Sequence, residues 1–422
     1  MHTETAEKTQ KSRLTLYIVI AMVLGIFVGY LIHSNASPEF IKNFAPKIKL
    51  LATIFLRLVQ MIIAPLVFAT LVVGIAKLGD LKTVGRVGGK AMVWFISASL
   101  LSLTLGLILV SITKPGVGIN INNADLEGAK DLMGKTKEFS LEKFVEHVVP
   151  KSVIEAMATN EILQLVVFSV FFGVALTAIG KKGEPIIKAL DALTHVVLKM
   201  VTYVMGLAPL GVFGAMTGVI ALKGLGILKT YAYYIGSFYI GLAVLWIILL
   251  FIGYLILKKR LNVLLRRLSG PMTIAFNTAS SEAVFPKLVE EMERFGCNNK
   301  IVSFTLPLGY SFNLDGSMMY MTFASMFIAQ AYNITSITDN IGTQIAMLLV
   351  FMLTSKGIAG VPRASLVVVL ATGSMFGIPP EGIGLVLAID TFCDMGRSMT
   401  NVLGNALATA AVSKWEGELS NA

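Results

Sequence analysis

With 55% hydrophobic residues, only 14% charged ones and a mean hydropathy of +0.77, this 422-residue chain is far more apolar than a soluble domain, in which about 25% of residues are charged. A soluble enzyme fold is excluded, and the chain reads as a polytopic membrane protein. The net charge of +10 does not point to nucleic acid, because the basic residues flank apolar runs, as the positive-inside rule expects: Lys8, Lys11 and Arg13 before the first; Lys77, Lys82, Arg86 and Lys90 after the second; and a dense block of Lys258, Lys259, Arg260, Arg266 and Arg267.

Apolar runs predict helices at 14–33, 46–76, 90–113, 160–180, 184–222 and 230–257. Leu14 to Ile32 and Thr230 to Leu257 carry no charge and reach the length of a span. The first is too long for the apolar core of a signal peptide, so it is read as a retained helix. The amino terminus is expected in the cytoplasm. The polar stretch Lys114 to Ser152 is the one long interruption, expected outside, with short helices near Leu141 to His147. Cys297, Cys393 and the four scattered histidines (His2, His33, His147, His195) form neither a disulfide framework nor a metal pattern. No cofactor is expected.

Beyond the basic block the apolar segments become short and interrupted. Phe276 to Pro286 (FNTASSEAVFP) and Thr354 to Ala364 (TSKGIAGVPRA) each cut an apolar stretch with small polar residues and a proline. Both read as re-entrant hairpins, whose non-helical tips are tolerated at membrane depth only against protein or a wet cavity. Each is followed by an apolar helix with an isolated polar cluster: Asn313-Leu314-Asp315-Gly316-Ser317 after the first, and Asp390, Asp394, Arg397, Asn401 and Asn405 after the second. Steps of four, three, four and four put the second set on one helix face. Ionised groups at bilayer depth cost at least ~2.5–3.5 kcal/mol each and face a protein interior. Paired interrupted segments of this kind point to a transporter site built from inverted repeats. Simple kinks are the alternative reading for each break.

Four motifs carry a resemblance over nearly the whole chain: Ala279-Ser280-Ser281-Glu282; Ser303 to Gly309 leading to Asn313-Leu314-Asp315-Gly316; Ser355 to Pro362; and Asp394-Met395-Gly396-Arg397 with Asn401. In these the chain resembles the dicarboxylate/amino acid:cation symporter (glutamate transporter) family, and within it the bacterial proton/glutamate symporters. The resemblance implies an all-α polytopic membrane protein with eight transmembrane helices and two re-entrant hairpins, working as an elevator-type homotrimer in the bacterial inner membrane with both termini cytoplasmic. The implied division is scaffold helices 1–2 over 1–82, transport-domain helix 3 over 83–113, scaffold with outer loop and helices 4–5 over 114–222, and transport-domain helix 6 over 223–258. Hairpin 1 then occupies 259–299, helix 7 300–335, hairpin 2 336–379, and helix 8 with a cytoplasmic tail 380–422.

By the same resemblance Arg397 would hold the substrate's side-chain carboxylate and Asp394 its amino group. Asn401 and the backbone around Ser281 would hold the main-chain carboxylate, with Ser280, Ser317, Ser398, Gly360 and Val361 completing the site. A guanidinium fork matches a carboxylate, and a buried aspartate needs a cation to answer it. C4-dicarboxylate branches lack the aspartate and neutral-amino-acid branches the arginine, so having both favours L-glutamate or L-aspartate, with a C4-dicarboxylate as the alternative substrate. A permanent Asp394–Arg397 pair that only locks the helix is the alternative. The implied cation positions are Asp315, Asn313, Asn405, Asp390, Ser99, Gly309, Ser355 and Ile358. Asn405 stands where sodium-coupled relatives carry an aspartate, Ala98 where they carry threonine, and Phe95 where they carry tyrosine. A neutral amide is a poorer ligand for a hard cation, so proton coupling is expected, with sodium as the alternative ion. Glu282, a serine in sodium-coupled relatives, is the expected proton carrier, protonated with substrate and paired with Arg397 when empty. Capping of the hairpin's second helix is its other reading.

Among other residues, Arg363 reads as a loop or gate arginine, Arg57 as snorkelling to an interface, and Cys393 as packing. An intramembrane protease is disfavoured because no base accompanies Ser280-Ser281; a passive anion channel is the remaining class.

Overall fold

The computed structural model describes residues 2–78, 81–119, 148–225, 231–355, 364–387 and 389–420, and every element in them is helical apart from turns and one isolated backbone bridge. The principal helices are α1 (His2–Asn35), α2 (Pro38–Leu78), α3 (Leu81–Thr113), α4 (Ile162–Ala178), α5 (Glu184–Met205), α6 (Ala208–Lys223) and α7 (Ala232–Leu257). They continue with α8 (Arg260–Thr278), α9 (Phe285–Phe295), α10 (Asn299–Phe312), α11 (Asp315–Ala331), α12 (Ile341–Thr354), α13 (Ala364–Gly373) and α14 (Asp390–Trp415).

By length and composition, four described helical stretches are able to cross a membrane: Leu16–Asn35, Pro38–Ala76, Lys82–Thr113 and Ala232–Leu257. The bent pair Gly180–Met205 and Ala208–Leu222, angled at 49°, makes a fifth. The helix expected over 184–222 is thus broken at Gly206-Leu207, and Pro209 stands in the first turn of α6, where its missing N–H costs no intrahelical bond. The second and third helices also begin earlier than their apolar runs, at Pro38 and Leu81, because polar residues extend them beyond the lipid-facing part.

The helix expected over 300–335 is likewise two helices. Between α10 and α11 the backbone leaves helical values at Asn313 (φ −123°, ψ 63°) and Leu314 (φ −101°, ψ 65°). The first hairpin is seen as α8 and α9 joined by a non-helical tip, where Ala279 takes left-handed backbone at φ 50°. A non-glycine residue there costs about 1–2 kcal/mol. The arms of the second hairpin are α12 and α13; its tip lies outside the described residues, as do Leu141 to His147.

Packing divides the helices into two groups. α1 lies on α6, and α2 on α4, α5 and α6. In the other group α14 is surrounded by α7, α8, α10 and α11, and α3 lies along α11. The groups meet mainly through α2 against α10. Helix α11 has all but its last residue buried, and α14 is buried over nearly its whole circumference. A helix enclosed on all sides can keep polar side chains only by pairing them, which places the site between α10, α11 and α14.

Candidate functional site

Arg397 is buried, with 6% of its surface exposed. Its Nε donates to Asp394 Oδ1 at 2.9 Å, and Nη2 lies 2.5 Å from the same oxygen. Ser398 Oγ donates to that oxygen as well, at 3.1 Å. All three contacts converge on Oδ1, and Asp394 Oδ2 makes no hydrogen bond among the described residues. Arg397 Nη1 is buried and has no hydrogen-bond partner among the described residues. A guanidinium carries five N–H donors, and a buried donor without a partner costs about 1–3 kcal/mol. One donor of this fork is therefore left unanswered in the interior. Among the described residues the carboxylate paired with Arg397 is Asp394, three residues back on the same helix, and Glu282 is not joined to Arg397.

Two further groups frame the guanidinium. Tyr320 of α11 places its ring 5.0 Å from Arg397 Cζ, and its hydroxyl donates to Asp390 Oδ1 at 2.7 Å. Asp390, grouped in the sequence with the cation positions, thus sits with Tyr320 at the start of α14. Tyr239 OH donates to Phe392 O at 2.8 Å and ties α7 to the same turn. Neither tyrosine was among the sequence candidates. Each stands in a highly apolar helix, and the need of a buried hydroxyl for a partner is the signal that would have found it.

Asn401 faces the broken start of α11. Its Oδ1 accepts from the backbone N–H of Gly316 (2.9 Å) and Ser317 (3.3 Å), and its Nδ2 donates to Ser317 Oγ at 3.0 Å. The first N–H groups of a helix have no partner within it, so Asn401 caps α11 from another helix.

Deeper along the same face, Asn313, Asp315 and Asn405 are brought together, each no more than 1% exposed. Asn313 Nδ2 lies 3.3 Å from Asp315 Oδ2 and 3.4 Å from Asn405 Oδ1. Among the described residues, Asn313 Oδ1 and Asn405 Nδ2 have no hydrogen-bond partner. Gly309 joins this cluster, since a Cβ there would lie 2.4 Å from Asn405 Oδ1. Ser99 reaches its edge, donating to Phe312 O at 3.3 Å. One carboxylate among amides is an oxygen-rich environment suited to a hard cation, but it carries a single formal charge and amide nitrogens stand within it. Among the described residues no group of three His, Cys, Asp or Glu side chains is placed to bind a metal.

The first hairpin tip is held to α10. Tyr310 OH donates to Ser281 O at 2.9 Å, Ser280 Oγ accepts from Ala283 N at 3.2 Å, and Glu282, half-buried, begins the short turn leading into α9. No hydrogen bond joins Ser280, Ser281 or Glu282 to Arg397. Ser355 is buried and caps the end of α12, while Ile358, Gly360, Val361 and Arg363 lie outside the described residues.

With a membrane-length helical bundle and a buried, half-satisfied guanidinium in place, comparison with known proteins decides the class. The model of the sodium:dicarboxylate symporter family matches residues 14–415. The chain belongs to that family. Among its relatives, the C4-dicarboxylate transport protein of Delftia acidovorans is 40% identical, covering 99% of this chain and 94% of its own length. Those of Rhizobium johnstonii and Rhodospirillum rubrum are each 41% identical, covering 97% and 96% of this chain and 90% and 89% of theirs. This symporter-family chain is therefore a membrane transporter of the elevator-type all-helical class, and not an enzyme.

Proposed function

We propose that this chain is a secondary active symporter for short dicarboxylates, with four-carbon dicarboxylates as the first substrate class. The observation that carries the reading is Arg397: buried, flanked by an aromatic face, and with Nη1 free to bind a carboxylate. The names of the relatives at 40–41% identity support four carbons over five.

One observation favours a second reading within the same chemistry, uptake of acidic amino acids such as L-aspartate or L-glutamate. Asp394 sits beside Arg397 with Oδ2 unused, where an α-ammonium would find a carboxylate. Asn401 and Ser317 would serve the second carboxylate on either reading, with Ser280, Ser281, Gly360 and Val361 closing the pocket from the hairpins.

For coupling we propose protons, with Glu282 as carrier. The neutral Asn405 beside Asp315 and Asn313 supports this, since it leaves the cation cluster one charge short. Sodium at Asn313, Asp315, Asn405, Gly309 and Ser99, with Ser355 and Ile358 at a second position, is the alternative. In the mechanism, α3 and α7–α14 form the moving domain, while α1, α2 and α4–α6 form the scaffold of a homotrimer in the bacterial inner membrane, both termini cytoplasmic.

The test is the purified chain in liposomes, offered labelled succinate, aspartate and glutamate under an imposed pH or sodium gradient. Accumulation of succinate above aspartate and glutamate supports the first reading; the reverse order supports the second. Uptake that never exceeds electrochemical equilibrium would mean a channel. Glu282→Gln is expected to abolish accumulation driven by pH alone, while substrate exchange continues; accumulation that persists assigns the proton elsewhere.

A further inference from the structure

The turn from α7 into α8 carries a feature that substrate transport does not use. Helix α7 is 26 residues with no charged side chain and a mean hydropathy of 2.8 over its most apolar window, and it ends directly at Lys258, Lys259 and Arg260. These three, with Tyr254, Leu255 and Leu257, line an open groove of about 500 Å³. Lys258 adopts left-handed backbone (φ 51°), and its N–H closes on Tyr254 O at 2.7 Å, so the chain doubles back and brings the last turn of α7 against the first residues of α8.

The cations of the groove are not equivalent. Arg260 is committed to the protein: Nη2 donates to Phe295 O at 2.8 Å, and its guanidinium lies 4.9 Å from the Phe295 ring. Lys258 and Lys259 are exposed and have no partner among the described residues. Beside them Tyr254 and Leu255 expose 53% and 60% of their surface. Two uncommitted ammonium groups above an apolar wall, at the mouth of a membrane-length helix, match an anionic headgroup with an acyl chain descending from it. Free phosphate would use only the first half of that surface. Basic pockets at the ends of membrane-length helices are where anionic headgroups collect.

We propose that this groove binds one anionic glycerophospholipid, its phosphate held by Lys258 and Lys259 and its acyl chain lying along Tyr254 and Leu255. The bound lipid ties the end of α7 to one leaflet. The site stands apart from Arg397, so the inference does not depend on which dicarboxylate is carried.

The test is native mass spectrometry of the full-length protein titrated with phosphatidylglycerol or phosphatidylcholine. Three proteins are compared: the unaltered chain, Lys258→Gln/Lys259→Gln, and Lys181→Gln/Lys182→Gln. The last removes the same charge from another exposed turn. The expected result is a tightest phosphatidylglycerol that the first double variant binds on the order of tenfold more weakly, with no change in the second variant and none with phosphatidylcholine. Competition by glycerol phosphate should not displace it. Equal weakening in both variants would show general surface charge, and no weakening in either would show no site; both outcomes overturn the proposal. Displacement by glycerol phosphate would overturn the lipid assignment in favour of a small phosphate ligand. If Lys258→Gln/Lys259→Gln fails to fold, the single variants Lys258→Gln and Lys259→Gln replace it. Weaker phosphatidylglycerol binding in either, against an unchanged Lys181→Gln/Lys182→Gln, supports the site, and unchanged binding in both overturns it.

Discussion

Arg397 spends two of its nitrogens on one oxygen of Asp394 and keeps Nη1 for another anion. Lysine in its place would keep the charge but lose the planar fork. Arg397→Lys should therefore cost about 1.5–3 kcal/mol of substrate binding, read as roughly a 10- to 100-fold rise in KM for uptake, with the protein still correctly folded. Asp394→Ser separates the two substrate readings. It removes the carboxylate an α-ammonium needs and releases Nε and Nη2 of Arg397. Succinate uptake should survive or improve, and any aspartate uptake should be lost. Competition between the two labelled substrates measures the switch directly, and unchanged aspartate uptake would remove Asp394 from substrate recognition. The side chains on this stripe were legible in the sequence because charge in a membrane helix is costly. Their pairing was not, since a helix face at i, i+3 and i+4 allows Arg397 to meet Asp394, Asn401 or a substrate equally well.

At the scale of elements, the two polar clusters depend on close approach of α14 to the break between α10 and α11. Gly404 makes that approach: a Cβ there would lie 1.9 Å from Asp315 Oδ2. Gly404→Ala would push the helices apart or displace Asp315. We expect about 1–3 kcal/mol of destabilisation from overpacking, with an altered dependence of uptake on its coupling ion. Unfolding of the detergent-solubilised variant and uptake under each ion gradient are the measurements. The first hairpin was legible because a run of small polar residues followed by Pro286 interrupts an apolar stretch, a composition that disfavours continuous helix at membrane depth. The break at Asn313-Leu314 was not. Its residues carry no proline at the break itself, and Asn401 makes it stable by capping α11 across space.

At the scale of the molecule, the carboxy-terminal end of α14 is fastened to two distant parts of the chain. Glu416, with only 4% of its side chain exposed, receives hydrogen bonds from Arg86 at 2.8 and 3.1 Å and pairs with Lys90 at 2.7 Å. Beyond it, Glu418 pairs with Lys300, Asn298 N donates to Glu418 O at 3.0 Å, and Ser420 N donates to Gly296 O at 2.9 Å. The strap holds α3, the end of the first hairpin and the start of α10 together. The hydrogen bond from Arg86 depresses the Glu416 carboxyl below its usual range; burial opposes it, and Lys90 adds to the lowering. A depressed carboxylate stabilises the fold above its unfolded value and loses that contribution as pH falls through the folded one. Because Arg86 and Lys90 are partly exposed, the contribution is about 1 kcal/mol or less. Glu416→Gln should lower the unfolding midpoint at neutral pH, and the gap to the unaltered protein should close below about pH 4. A gap that stays constant with pH would mean the strap acts through packing, for example of Trp415 on Trp94.

The amino-acid sequence by itself determined that the chain lives in a membrane, that two apolar segments are interrupted, and that one late helix carries charge on a single face. Each of these follows from the cost of polar groups in hydrocarbon, which is local and additive along the chain. Tertiary structure alone decided which groups answer one another: Arg397 with Asp394 and Tyr320, Asn401 with the start of α11, and Asp315 with Asn313 and Asn405. Those choices rest on distances between helices far apart in sequence, and only the packed bundle sets them.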